Sequence, residues 1–288
     1  MPVRNDQQGI IIQEQAPILL NREVAPDIFL MEIRSPDIVA LGRPGQFLHL
    51  RVDDGDGGPL LRRPLSIFSR EEAGERVGLL FRRVGPGTRI LSGMLPDSRL
   101  DLVGPLGRAF SPSPGIEKAL LVAGGLGVAP LFFLAQDLTG RGIGVRFLLG
   151  ATGREGLLCR DRLKDLGVKL DISTDDGSEG FHGLVTGLLE QVLEQDRPSP
   201  AKCALFVTGP EPMMKTVAAL ARRHRLGAQF SLERHMACGV GACWGCAVRC
   251  RDERGRPVYR RACADGPVFD LSELDWDSGS KGSDGRSA

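Results

Sequence analysis

Apolar residues fall along this chain in two textures. Up to about residue 110 they come as short runs at 10–12, 28–33, 47–52, 76–81 and 100–103, separated by Gly42, Pro44, Gly45 and the glycine-rich stretches 55–59 and 85–87. Short apolar runs between glycine and proline clusters predict strands, and their regular spacing predicts a small Greek-key barrel. From about residue 111 the texture changes. Continuous apolar strands at 119–122, 145–149, 168–172 and 204–207 alternate with helix-like stretches at 131–138, 184–193 and 212–222. Strands alternating with helices predict a parallel, doubly wound sheet. From Phe230 the pattern breaks again into a short cysteine- and glycine-rich unit, of a size that commonly needs a metal centre to hold its fold. The expected division is a multidomain β plus α/β protein: barrel 1–110, nucleotide-type α/β domain 111–229, cysteine unit 230–274, and a polar, glycine-rich tail 275–288 read as disordered. No internal repeat interrupts this order.

Composition narrows the class. The chain has 288 residues and 42% hydrophobic content, enough for two or three packed domains. A net charge of +1 gives no broad attraction to nucleic acid or to a membrane surface. No apolar run approaches the length of a membrane span, and the polar N-terminus has no secretory signal. Seven cysteines, most of them clustered, fit a reducing cytoplasm better than a disulfide framework.

The clustered cysteines carry the strongest chemical signal. Cys238, Cys243 and Cys246 stand in a C-x4-C-x2-C run, the spacing of a plant-type [2Fe–2S] site. Gly239, Gly241 and Gly245 lie between them and allow the loop to wrap closely, with backbone N–H groups turned toward sulfur. The fourth ligand is either Cys250, on the outgoing strand, or Cys263, which a hairpin through the turn-like stretch 251–257 would return to the cluster; the hairpin favours Cys263. Structural zinc is the rival reading, but zinc sites more often pair two C-x2-C units and only one is present. Unliganded thiols are the remaining alternative. Cys159 and Cys203 read as ordinary buried residues.

Weaker signals lie upstream. Arg62-Arg63-Pro64-Leu65-Ser66 offers a guanidinium for charge-assisted bonds to a diphosphate, although a plain surface turn reads the same way. Gly87 and Thr88, before a helix expected at 89–94, offer N–H groups and a hydroxyl to an anion, or form a simple cap. Gly124, Gly125 and Gly127 follow an apolar strand and precede a helix, and Gly209 and Met213 follow another. Ligands of open α/β sheets bind at that strand edge. Asp175 and Asp176, at the end of a third strand, suit ribose hydroxyls or the cap of a turn. Arg154 suits a 2′-phosphate or solvent.

In this order, the motifs resemble the ferredoxin–NADP reductase superfamily and, more narrowly, the electron-transfer subunits of the two-component (type 1B) dihydroorotate dehydrogenases. That family carries Arg-Arg-Pro-(Ile/Leu)-Ser, Gly-x-Gly-Thr, Thr-Asp-Asp-Gly-Ser and Met-x-Cys-Gly-x-Gly-Ala-Cys-x-x-Cys, ending in Cys-x-Asp-Gly-Pro-Val-Phe. The counterparts here are 62–66, 85–88, 174–178, 236–246 and 263–269, and the resemblance spans about residues 8–271. It implies FAD in the barrel, contacted by Arg63, Pro64, Leu65, Ser66, Leu80, Phe81, Arg82, Gly87 and Thr88, with Leu65 where many relatives stack a tyrosine. It implies NAD at Gly124, Gly125, Gly127, Asp175, Asp176, Gly209 and Met213. It also assigns Cys263 as the fourth ligand beside Cys238, Cys243 and Cys246. The implied partner is an FMN-containing catalytic subunit oxidising dihydroorotate in pyrimidine synthesis, in a heterotetramer. The competing readings are a sulfide dehydrogenase or ferredoxin-linked NADPH transhydrogenase subunit, a standalone flavin reductase, and a zinc-stabilised binding module without catalysis.

Overall fold

A computed structural model describes residues 3–5, 9–52 and 58–276. The first domain consists of β1 (Val3–Asn5), β2 (Gly9–Ala25), β3 (Ile28–Arg34), α1 (Pro36–Leu41), β4 (Phe47–Leu50), β5 (Arg63–Glu71), β6 (Arg76–Arg82), α2 (Pro86–Gly93) and β7 (Arg99–Leu106). The strands lie in the order β1-β2-β3-β6-β5-β4-β7, and β2 also pairs with β7. Six of them therefore close into an antiparallel barrel, and β3 beside the β4-β5-β6 meander gives the expected Greek key. One long strand makes the closure. The first half of β2 pairs with β7 and its second half with β3, with register shifts at Ile18/Leu20 and Glu23/Ala25. Such bulges bend a strand around a barrel corner. Along β7, Leu100 and Leu102 are fully buried while Arg99 and Asp101 turn outward. Ile18, Met31, Ile33, Leu48, Leu79 and Phe81 fill the interior.

The second domain consists of β8 (Lys118–Gly124), α3 (Val128–Gly140), β9 (Gly144–Ala151), α4 (Arg160–Asp165), β10 (Lys169–Thr174), β11 (Phe181–His182), α5 (Val185–Asp196), β12 (Cys203–Thr208), α6 (Glu211–Arg223) and β13 (Gly227–Ser231). These strands are parallel, in the order β11-β10-β9-β8-β12-β13. The chain winds one way from β8 to β10 and the other way through β12 and β13, so the topology switches between β8 and β12. Residues Ala119 to Ala123 of β8 are all 0% exposed, as a parallel sheet covered on both faces requires. Helix α3 is buried around most of its circumference because it lies between the sheet and β5 of the barrel. There Phe132 stacks on Phe68 at 4.5 Å between ring centroids.

The cysteine region contributes the hairpin β14 (Ala247–Arg251) and β15 (Pro257–Arg261), as expected, and a final strand β16 (Val268–Asp270). It is not set apart from the sheet. The expected division at 229/230 falls inside β13, and β16 pairs antiparallel with that strand through Gln229↔Asp270, Phe230↔Phe269 and Ser231↔Val268. The expected tail also begins too early. The Asp275 carboxylate is 1% exposed and lies 2.8 Å from Arg249 Nε and 2.6 Å from an Arg251 amino nitrogen. Trp276 packs edge-on against Phe230 at 5.6 Å. Two arginines of β14 and an aromatic partner hold these residues; 277–288 lie outside the described residues.

Candidate functional site

The switch point brings five of the expected nucleotide residues together, Gly124, Gly125, Gly127, Gly209 and Met213, and leaves Asp175 and Asp176 in the turn after β10. Gly124 ends β8 and Gly209 follows β12, and Met213 in the first turn of α6 covers both. A methyl group built on Gly124 would fall 2.8 Å from Met213 Sδ, and one on Gly209 2.6 Å from Met213 Cε. Gly125 has φ of 54° and opens the tight turn into α3. Gly127 packs the start of that helix on β12, where a methyl group would meet Thr208 O at 2.3 Å. Backbone thus approaches backbone at the carboxyl edge, which suits phosphate binding. Asp176 behaves as a turn cap. Its carboxylate accepts the Ser178 N–H at 2.9 Å, and the Ser178 hydroxyl and N–H hold it below the usual carboxylate range. Asp175 continues the ladder with its N–H on the Ala151 carbonyl. Arg154 donates to the Ser178 carbonyl at 3.0 Å and lies 3.3 Å from the Glu179 carboxylate, so its charge is already answered within the protein.

In the barrel, Arg63, Pro64, Leu65 and Ser66 open β5 itself rather than following a strand. Helix α2 starts at Pro86, earlier than expected, so Gly87 and Thr88 lie in its first turn, where N–H groups have no intrahelical partner. Arg63 crosses this turn: a methyl group on Gly87 would fall 2.5 Å from Arg63 Nε. A guanidinium beside a helix N-terminus fits the diphosphate of a dinucleotide cofactor. Arg62 does other work, bridging to the Asp101 carboxylate at 2.7 Å. The Thr88 hydroxyl accepts the Val84 and Gly85 N–H groups and donates to the Gly85 carbonyl, so it caps the helix. The Phe81 side chain is 1% exposed against Phe29 in the barrel core, and Leu80 is 3% exposed. At those two positions only the main chain can face a ligand, whereas Arg82 is exposed.

The four thiols fall into two pairs. Cys246 Sγ and Cys263 Sγ are 3.3 Å apart and buried. The Cys243 N–H points at Cys238 Sγ at 3.4 Å. Gly241 N–H points at Cys263 Sγ at 3.2 Å and Gly245 N–H at Cys243 Sγ at 3.5 Å. Gly239 and Gly241 take φ of 69° and 84°, and Trp244 takes 59°. Burial pushes the Cys238 thiol up, but the N–H groups of Cys243, Val240 and Ala242 outweigh it and bring it down to about 6. Burial, and then the Cys246 thiol beside it, pushes Cys263 up to about 12. Among the described residues no three His, Cys, Asp or Glu side chains gather as a single ion would require. Two thiol pairs ringed by N–H donors fit a two-metal, anionic group better than one zinc ion. Cys250 faces the core, 0% exposed, between Val248 and the Leu274 bridge.

Three supports escaped the sequence reading. Arg261 donates bidentately to Asp265 at 2.9 Å, donates to the Gly241 carbonyl at 2.9 Å, and lies over the Trp244 ring at 5.0 Å. The spacing of Arg261 and Asp265 around Cys263 is the signal that could have marked them. Trp244 is 52% exposed beside the exposed Cys243. His49, a lone polar residue in the apolar run of β4, is 2% exposed and lies against Gly239. Burial, and then the charge of Arg62, holds its imidazole down at about 4.

A closed barrel with an anion cradle, a switch-point nucleotide edge and a paired thiol loop together define an oxidoreductase built on the ferredoxin–NADP reductase fold. A solved ferredoxin NADP+ reductase from Neisseria gonorrhoeae with bound FAD and NADP has that fold, with TM-score 0.63 and 19% identity over 74% of this chain and 91% of that one. The structure of an NADH-dependent reduced ferredoxin-NADP oxidoreductase aligns with TM-score 0.78 and 31% identity over 92% of this chain and 91% of that one. Residues 233–275 match the iron-sulfur cluster binding domain of dihydroorotate dehydrogenase B. The dihydroorotate dehydrogenase B (NAD(+)) electron transfer subunit of Desulforamulus reducens is 40% identical over 91% of this chain and 98% of its own length. That of Shouchella clausii is 37% identical over the same shares. The chain belongs to the family of dihydroorotate dehydrogenase B electron transfer subunits.

Proposed function

We propose that this chain relays electrons between NAD and an FMN-containing catalytic subunit that oxidises dihydroorotate to orotate in pyrimidine synthesis, working in the cytoplasm as two copies of each subunit. The observation that carries the reading is the two thiol pairs, with N–H donors on their sulfurs, packed against the barrel strand that pairs with the Arg63–Ser66 motif. Arg63 and the first turn of α2 hold the FAD diphosphate, and Gly124, Gly127, Gly209 and Met213 seat the nicotinamide dinucleotide at the switch point. Cys238 and Cys243 form one ligand pair, Cys246 and Cys263 the other. Held by those residues, FAD would supply hydride exchange with NAD, and a [2Fe–2S] cluster on the four thiols would supply single-electron transfer.

The chain's own residues do the placing. Helix α3 spans from barrel to sheet and fixes one binding edge against the other. Arg261 locks the loop at Gly241, and burial of Cys246 and Cys263 keeps water from one side of the thiol site. The exposed edge at Cys243 and Trp244, with Val240 48% exposed, is where the partner docks. No helix among the described residues is long and apolar enough to cross a membrane.

The test is orotate-dependent NADH oxidation after adding the FMN subunit, with an ultraviolet–visible spectrum and an iron count. Cys243→Ser should abolish transfer to the partner while NADH still bleaches the flavin; coupled turnover in a cluster-free variant would refute the order of carriers. The 31% identity to the NADH-dependent reduced ferredoxin-NADP oxidoreductase supports a second reading, a transhydrogenase-type subunit. Ferredoxin-dependent turnover without any response to orotate would select it.

A further inference from the structure

His49 is placed where the flavin side of the molecule meets the thiol loop. Its main chain is pinned on both sides, opposite Pro64 of β5 and opposite Val103 of β7. Its carbonyl accepts from Arg62 at 3.2 Å. Phe47 and His49 alternate on one strand, so their side chains share a face. Phe47 enters the core that holds Cys246, Cys250 and Cys263, and His49 lies under the other limb of the thiol loop. A methyl group built on Gly239 would fall 2.4 Å from His49 Nδ1 and 2.8 Å from Cε1. Gly239 directly follows Cys238, and its φ of 69° turns the chain so that the next N–H groups face the Cys238 sulfur.

Filling volume alone does not account for a histidine here. Nε2 is buried without a hydrogen-bond partner among the described residues, although the ring has a backbone contact with Arg62, and a buried unpaired nitrogen is destabilising. A leucine or methionine would fill the same volume without that cost. The imidazole has what those side chains lack: a flat, stiff ring thin enough to stand between two backbones, one in the barrel and one in the loop.

We propose that His49 is a positioning residue of the electron path, a rigid spacer that sets the separation of the flavin strand and the thiol loop and keeps the loop's N–H groups on the Cys238 sulfur. This rests on the iron–sulfur reading given above. Hydrogen bonds to sulfur and solvent exposure set the potential of such clusters, and loss of a supporting residue behind a ligand typically costs about 10–100-fold in affinity or activity.

The experiment compares His49→Ala, His49→Phe and His49→Gln in the purified holoprotein with full FAD and iron. The readouts are the cluster midpoint potential, its electron paramagnetic resonance g-values, and the flavin-to-cluster rate relative to the NADH-to-flavin rate. His49→Ala should lower the potential, shift the g-values and reduce the rate ratio about 10-fold. His49→Phe, which restores a flat ring over Gly239, should recover most of each. His49→Ala with wild-type potential and g-values overturns the proposal. If His49→Ala does not retain the cluster, Phe and Gln carry the comparison: Gln should differ from wild type and Phe should not, and equal values in the two overturn it. A double-mutant cycle adds a second check. Gly239→Ala should be partly rescued by His49→Ala, because the clash at 2.4 Å is removed, whereas strict additivity overturns the contact. A wild-type chain that carries flavin but no iron sinks the iron–sulfur reading instead, and is told apart by the iron count alone.

Discussion

Replacing Gly127 with alanine sets two effects of opposite sign against each other. Gly127 has φ of −57° and ψ of −12°, an ordinary helical conformation at the start of α3. Alanine can adopt this conformation, so restricting the unfolded chain favours it by at most about 0.4–1 kcal/mol, although the N-cap position itself prefers glycine. The steric effect opposes it. The added methyl would fall 2.3 Å from Thr208 O, 2.7 Å from Thr208 C and 3.1 Å from Gly209 N. The shortest is about 0.7 Å inside the 3.0 Å that real Cβ atoms respect. All three atoms are main chain of β12 or the turn after it, and β12 is hydrogen-bonded to both β8 and β13, so none can swing away. With two main-chain atoms inside that limit the overpacking cost falls in the upper part of the usual range, about 2–3 kcal/mol, which leaves a net destabilisation of about 1–2 kcal/mol. At about 2–4 °C per kcal/mol for a domain of this size, Tm should fall by about 5 °C. Because α3 and the Gly124–Gly209 edge must separate, NADH-dependent flavin reduction should slow by about 10-fold, given that misplacements near 1 Å can cost about 100-fold. Thermal melting and stopped-flow flavin bleaching measure the two. A variant equally or more stable than wild type, with normal bleaching by NADH, would refute the reasoning, because restriction of the unfolded chain would then have prevailed.

Other outcomes follow from features described above. Arg63→Ala should weaken FAD retention by about 10–100-fold, from the roughly 1.5–3 kcal/mol of a charge-assisted bond, read by flavin content after gel filtration. Asp275→Asn should cost roughly 2 kcal/mol in urea unfolding, less than the about 3–5 of a fully buried pair, because Arg249 and Arg251 remain 47% and 37% exposed. The Lys118 ammonium and then the Arg146 guanidinium hold the Asp196 carboxyl below the usual carboxylate range. A depressed folded-state value means the stabilisation is complete above about pH 4 and lost as pH falls through the folded-state pKa. Arg146→Met should accordingly flatten the acid limb of the stability profile between wild type and variant.

The barrel and the sheet were legible because their strands obey a period. The apolar runs at 28–33, 76–81 and 100–103 fall within β3, β6 and β7, and β8, β9, β10 and β12 of the six second-domain strands were legible, whereas the short β11 and the β13 strand were not. Strand β5 was not legible: Arg63, Pro64 and Ser66 interrupt its pattern, and only pairing with β4 shows why a proline is tolerated there. The second half of β2 was missed for a related reason, since a bulged strand loses its alternation at Ile18/Leu20. Helix α1 carried a readable start in Ser35-Pro36-Asp37, with the Ser35 hydroxyl accepting the Ile38 N–H, but six residues are too few to show a helical period. In the site, the grouping of Cys238, Cys243 and Cys246 was legible because a C-x4-C-x2-C loop is local, and Cys263 meets Cys246 across the hairpin. The contacts of His49 with Gly239 and of Asp275 with Arg249 join residues far apart in the chain, and no local pattern encodes them.

The pairing of Ser231 with Val268 means that the chain leaves the sheet for the thiol segment and re-enters it one strand spacing away, about 5 Å. In topological terms everything from 232 to 267 is a single oversized turn joining neighbouring strands. A short connector there would leave the strand order of the nucleotide sheet complete, but it would uncover Phe47 and His49 on the barrel face that the segment now packs against. The thiol segment is thus an insertion in topology but not in packing, since the residues it buries belong to both the barrel and the sheet.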